Sequence, residues 1–146
     1  MLMEDERIKW GCSFIGCPSY IELMEYRLKQ QNLPNEEKYL PKTFLDVLER
    51  DDPGMILRRT TVIPDALRKK SVLVLAGKDD KLVPWVACET FIAKLEEENP
   101  HLKVIRYDGV GHEVNHPAML ADFKSWTMQF IPTPGGIDAK LSSVKI

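Results

Sequence analysis

Two short stretches of the 146-residue chain carry the side chains best suited to chemistry. The first, Gly77-Lys78-Asp79-Asp80-Lys81-Leu82-Val83-Pro84, offers carboxylates, and the second, Asp108-Gly109-Val110-Gly111-His112-Glu113, offers an imidazole. Asp80 and His112 lie 32 residues apart, about the length of one strand–helix unit. If each stretch follows a strand and the two strands are parallel neighbours, both side chains reach the same rim of the sheet. A carboxylate that holds an imidazole in one tautomer makes the ring a general base, which is two thirds of a nucleophilic triad. Asp is common in turns, so Asp79 reads as a solvated turn acid beside Asp80. Gly109 and Gly111 are expected to let the backbone turn sharply and bring the imidazole over the strand end.

A second motif overlaps the first. His112-Glu113-Val114-Asn115-His116 spells H-E-x-x-H, whose zinc chemistry needs both histidines one helical turn apart on the same face. Gly109 and Gly111 before it and Pro117 after it disfavour a helix there, so a zinc-dependent hydrolase is the weaker alternative. His101 reads as an exposed histidine, and His116 as the residue before a helix opened by Pro117. Cys12, Cys17 and Cys88 form an odd set without a CxxC pair, which fits reduced thiols better than a disulfide framework or a metal site.

The elements that must position these residues are legible in outline. Residues 8–15 (IKWGCSFI) form a short apolar run that reads as a buried strand. Ser19 and Glu22 have capping-box spacing, with Tyr20, Leu23, Met24 and Leu28 following at helical intervals. Residues 32–42 read as a loop. Pro41 then opens a second helix, with Phe44, Leu45 and Leu48 on one face, stopped by Asp51-Asp52-Pro53-Gly54. Residues 71–76 (SVLVLA) make a strand covered on both faces, and 84–98 an amphipathic helix facing inward through Cys88, Phe91, Ile92 and Leu95. Residues 102–107 (LKVIRY) form another strand and 117–131 another helix, while the Pro- and Gly-containing tail 132–146 reads as loose. The alternation of strand and helix calls for a parallel sheet with right-handed crossovers, an α/β class.

With these residues in place, the chain resembles the C-terminal half of an α/β-hydrolase. Such enzymes carry a G-x-x-D-x-x-V-P acid loop, matched by Gly77, Asp80, Val83 and Pro84, and a G-x-G-H loop, matched by Gly109, Gly111 and His112. The resemblance covers residues 71–131 and implies Asp80 as the triad acid and His112 as the general base. It makes residues 1–16 the sixth-strand region of a partial α/β-hydrolase fold with about three parallel strands. It also makes residues 17–70 a helical cap whose Tyr20, Met24, Tyr26, Tyr39 and Phe44 are either pocket-shaping or simple packing residues. The implied reaction is hydrolysis of an ester, amide or similar acyl bond, with a small acyl-type substrate and no cofactor. The family's serine sits in G-x-S-x-G, and no such pentapeptide occurs in the 146 residues. The string 11–16 (GCSFIG) places its second glycine one position late, so Ser13 reads as a strand residue. Eight strands would need about 240 residues. The chain is therefore expected to be silent alone, either as part of a serine hydrolase or as a non-catalytic binding module or degenerate pseudoenzyme.

Length and composition bound the rest. With 44% hydrophobic and 29% charged residues the chain is of globular type, not disordered. A net charge of −2 provides no basic field for nucleic acid, and no apolar run is long enough to span a membrane. Acidic residues near Met1, where a secretory signal carries Lys or Arg, point to the cytoplasm. The first strand would leave one edge open, and such an edge invites self-association or pairing with another chain.

Overall fold

A computed structural model describes residues 5–131, and the chain divides into two compact units, residues 1–114 and 115–146. In the first unit, β1 (Trp10–Phe14), β2 (Ser71–Gly77) and β3 (Leu102–Tyr107) run parallel in one sheet, in the order β1-β2-β3. This is the α/β class expected of the sequence, with three parallel strands and flanking helices. The register pairs Ser13 with Val74 and Val74 with Val104, so these three residues share one face. The central strand is apolar in both directions because both of its faces are covered: Val72, Leu73, Val74 and Leu75 are all buried.

Val72 and Val74 pack with Cys88, Phe91, Ile92 and Leu95, the inward stripe of α5 (Glu89–Glu98). The helix expected over 84–98 is shorter than its periodicity suggests. Pro84 is extended, Trp85–Ala87 form a 3₁₀ turn, and Cys88 stands at the helix N-cap position. At the other end the stop is made by Asn99 as much as by Pro100. The buried Asn99 amide donates to the carbonyls of Leu67 (2.9 Å) and Lys70 (3.0 Å) and accepts from the His101 N–H (2.8 Å). One side chain thus satisfies the backbone groups where the chain enters both β2 and β3.

Between β1 and β2 the chain is helical: α1 (Tyr20–Gln30), α2 (Lys42–Asp51), α3 (Pro53–Thr60) and the single turn α4 (Asp65–Arg68). Ser19 caps α1 by accepting the Glu22 N–H at 3.4 Å. The run Asp51-Asp52-Pro53-Gly54 does stop α2, but it also starts α3 at once. The buried Asp52 carboxylate accepts the Met55 N–H (2.9 Å), capping α3, and the Tyr20 N–H (2.5 Å) at the start of α1. Pro53 occupies the first turn of α3, where its missing N–H costs nothing. A second apolar cluster, Ile21, Leu40 and Leu48 with Met24, Leu28 and Phe44 against it, holds this segment together.

The second unit contains α6 (Pro117–Thr127), which ends four residues before the expected position 131. Beyond it, the Phe130 ring meets Trp126 edge-on at 4.8 Å. The tail expected to be loose, 132–146, lies outside the described residues. Among the described residues, no helix is long and apolar enough to cross a membrane.

Candidate functional site

β2 and β3 end side by side, with Gly77 registered to Tyr107, so the loops that follow leave the same rim. Backbone bonds then join them: the Lys78 N–H donates to the Tyr107 carbonyl (2.9 Å) and the Asp79 N–H to the Val110 carbonyl (3.0 Å). This approach requires glycine at position 77. A Cβ there would lie 2.2 Å from the Val110 oxygen and 2.6 Å from the Gly111 oxygen, both backbone atoms that cannot swing aside. Gly109 adopts φ +71°, the left-handed turn expected of it. Gly111 does not: its φ is not positive, and a Cβ would meet nothing nearer than the Asp79 oxygen at 3.9 Å. The turn therefore uses one of the two glycines in the second loop, and the tight approach uses Gly77 in the first.

The result brings Asp80 and His112 together. Asp80 Oδ2 and His112 Nδ1 are 2.9 Å apart, while Asp80 Oδ1 accepts the N–H groups of Leu82 (2.8 Å) and Val83 (2.9 Å). The Asp80 side chain is 1% exposed and that of His112 is 39% exposed. A carboxylate can only accept, so the bond places an imidazole proton on Nδ1, and in the neutral ring it is Nε2 that carries the lone pair. A buried, triply bonded carboxylate behind a half-open ring is an arrangement that orients a base. Asp79 remains an exposed turn residue, and Lys78 bridges to Asp108 at 2.8 Å across the two loops.

Other candidates fall elsewhere. Ser13 lies within β1, paired to Val74, and the site of a Cβ on Gly16 is 2.2 Å from its Oγ, so the hydroxyl is turned toward the strand's own exit. The H-E-x-x-H stretch is not helical; the helix begins at Pro117, after His116, so the same-face geometry that zinc chemistry needs is missing. His101 is exposed, as expected. Of the five aromatic and thioether residues assigned to the cap, Tyr26 reaches the site: it lines an open groove with Arg27, Lys78, Asp79, Asp80 and Lys81. Tyr20 and Phe44 stack edge-on at 6.0 Å, and Met24 packs into the helical cluster. The periodicity of α1 gave no sign of Arg27, whose Nη2 donates to the Leu82 carbonyl (2.8 Å) and ties α1 to the Asp80 loop. An apolar cavity of about 180 Å³ lies on the α5 face of the sheet, bordered by Ser13, Gly16, Val83, Trp85 and Cys88.

No family model matches the chain. Over 117 residues it is 26% identical to the Bacillus subtilis (strain 168) protein "Putative esterase YitV", a match covering 77% of this chain and 45% of that one. Two structures of the Pyrococcus furiosus esterase Pf2001 superpose with TM-scores of 0.50 at 20% and 17% identity, each covering 88% of this chain and 45% of the other. The sequence match relates the chain to an esterase-like protein, and the structural matches show a shared α/β fold. The chain spans under half the length of these relatives.

Proposed function

We propose that this chain is the C-terminal part of an α/β-hydrolase-type serine hydrolase acting on ester or similar acyl bonds. In this reading Asp80 is the acid and His112 the general base. The observation that carries the reading is the 2.9 Å bond between the buried Asp80 and the half-open His112, made across loops that follow adjacent parallel strands. His112 Nε2 would take the proton of a serine as it attacks the acyl carbon. It would then return that proton to the leaving alcohol or amine, with Asp80 stabilising the imidazolium between the two steps. Residues 17–70 act as a cap: α1 walls the groove beside Asp80 and is pinned to the acid loop through Arg27. The likeness to YitV supports an ester as substrate.

Because no G-x-S-x-G occurs in the 146 residues, the serine and oxyanion donors must come from another segment, and the chain by itself is catalytically silent. β1 offers a place for such a segment to pair, since β2 flanks it on one side and, among the described residues, no strand flanks it on the other. The same edge favours self-association of the isolated chain, which light scattering would detect.

The test begins with the coding sequence upstream of codon 1, read in frame for G-x-S-x-G. A product containing both parts should cleave a short-chain p-nitrophenyl ester and lose roughly 1,000-fold or more on His112→Ala. Fluorophosphonate labelling of the 146-residue chain, or hydrolysis by the longer product that survives His112→Ala, refutes the proposal. If no upstream serine segment exists, the non-catalytic binding reading takes its place.

A further inference from the structure

Cys17 and Cys88 are far apart in sequence and unrelated by any motif, yet the fold packs them together. Cys17 leaves β1 directly after Gly16 and lies against the core cluster to which the buried Cys88 belongs. Cys88 Sγ donates to the carbonyl oxygen of Gly16, the residue before Cys17, at 3.8 Å, and Cys17 Sγ donates to the Ser19 carbonyl at 3.1 Å. Cys17 is half-buried, so a small oxidant can reach one sulfur of the pair while the other stays protected.

We propose that Cys17 and Cys88 are a redox modification site that closes to a reversible disulfide on exposure to a hydroperoxide. The bond would fasten the entrance of the 17–70 helical segment to the N-cap of α5, eight positions after Asp80. The Cys17 thiolate attacks the near oxygen of the hydroperoxide, the O–O bond breaks, and the alcohol departs with the proton that Cys17 gave up. Cys17 is then a sulfenic acid. The Cys88 sulfur attacks it, the S–O bond breaks as the S–S bond forms, and water leaves carrying the Cys88 proton. Two thiols and one hydroperoxide thus yield one disulfide, one alcohol and one water. The order of events follows from the site: Cys17 is half-buried and meets the oxidant first, whereas Cys88 is buried in the core cluster and meets only the sulfenic acid. Cys12 is a third thiol with no such neighbour in the proposal, and it serves as the internal control.

The reduced full chain is exposed to a small excess of tert-butyl hydroperoxide, its remaining thiols are blocked with N-ethylmaleimide, and it is digested without reductant. The expected product is a peptide pair joined through Cys17 and Cys88 that has lost two hydrogen atoms and separates in dithiothreitol, with Cys12 alkylated. Oxidation should raise the melting midpoint of the wild type and of Cys12→Ser, and leave that of Cys17→Ser unmoved. Because Cys88 sits in the core, Cys17→Ser is the decisive variant. A bridge that includes Cys12, or a Cys17 that runs on to the sulfinic acid while Cys88 remains alkylatable, overturns the proposal. None of these readouts depends on hydrolase activity.

Discussion

The contact most open to a quantitative challenge is the one beneath Gly77. In Gly77→Ala, a methyl carbon arrives 2.2 Å from the Val110 oxygen, where ordinary contact requires about 3.4 Å or more. Val110 is buried and its carbonyl accepts the Asp79 N–H, so the strain falls on backbone, not on a side chain that could rotate away. Relief demands that the loop after β3 retreat by about 1 Å, which takes the 2.9 Å Asp80–His112 separation toward 4 Å and out of hydrogen-bond range. Overpacking of this kind and the lost loop bond together should cost about 2–3 kcal/mol. For a domain of this size that is roughly a 5–10 °C fall in melting midpoint. Urea unfolding gives the first number, and imidazole NMR gives the second readout through the His112 Nδ1 proton, which should lose its carboxylate-bonded signal. Two neighbours calibrate the result. Gly109→Ala should cost about 1 kcal/mol through its positive φ alone, and Gly111→Ala less than about 0.5 kcal/mol because its Cβ has room. A Gly77→Ala protein as stable as Gly111→Ala, with the His112 signal intact, would refute the idea that this close approach places the imidazole.

Three further outcomes can be checked on the same chain. Asp52→Ala removes the cap of α3 and the acceptor of the Tyr20 N–H at the start of α1, and should destabilise by about 2–3 kcal/mol in urea, more than the α3 cap alone accounts for. Asp80→Ala strands the N–H groups of Leu82 and Val83 and should cost about 2–4 kcal/mol, whereas His112→Ala takes one partner from the Asp80 carboxylate and should cost about 1–2 kcal/mol. Peptide-resolved alkylation should modify Cys17 before Cys12 at neutral pH. Burial pushes the Cys12 thiol up to about 11, so its rate should keep climbing with pH long after that of Cys17 has levelled off.

The strands were legible because β2 holds an uninterrupted aliphatic run, Val72 to Ala76, and β3 places Val104 and Ile105 between Leu102 and Tyr107. The proximity of Asp80 and His112 was legible for the same reason: two loops that leave neighbouring parallel strands must share a rim. Residues that work in two directions were harder to read. Asp52 looks like part of a stop signal when read along the chain, and only the position of α1 beside α3 reveals that it caps α3 and also accepts the first N–H of α1. Gly77 looks like the first letter of a turn, but what requires it is a carbonyl from the next loop. Arg27 and the Cys17–Cys88 pair owe their positions to long-range packing, which leaves no periodic trace in the sequence.

The single carboxylate shared by α1 and α3 also bears on how the helical segment comes apart. Tyr20 and Met55 donate to two oxygens of the same group, so fraying the first turn of either helix leaves that buried group short of a partner that the other helix cannot supply. Opening one helix alone is thereby penalised relative to opening both. In hydrogen exchange, the first-turn amides of α1 and α3 should therefore fall into one protection class, and residues 20–60 should breathe as a single foldon above a sheet that stays closed.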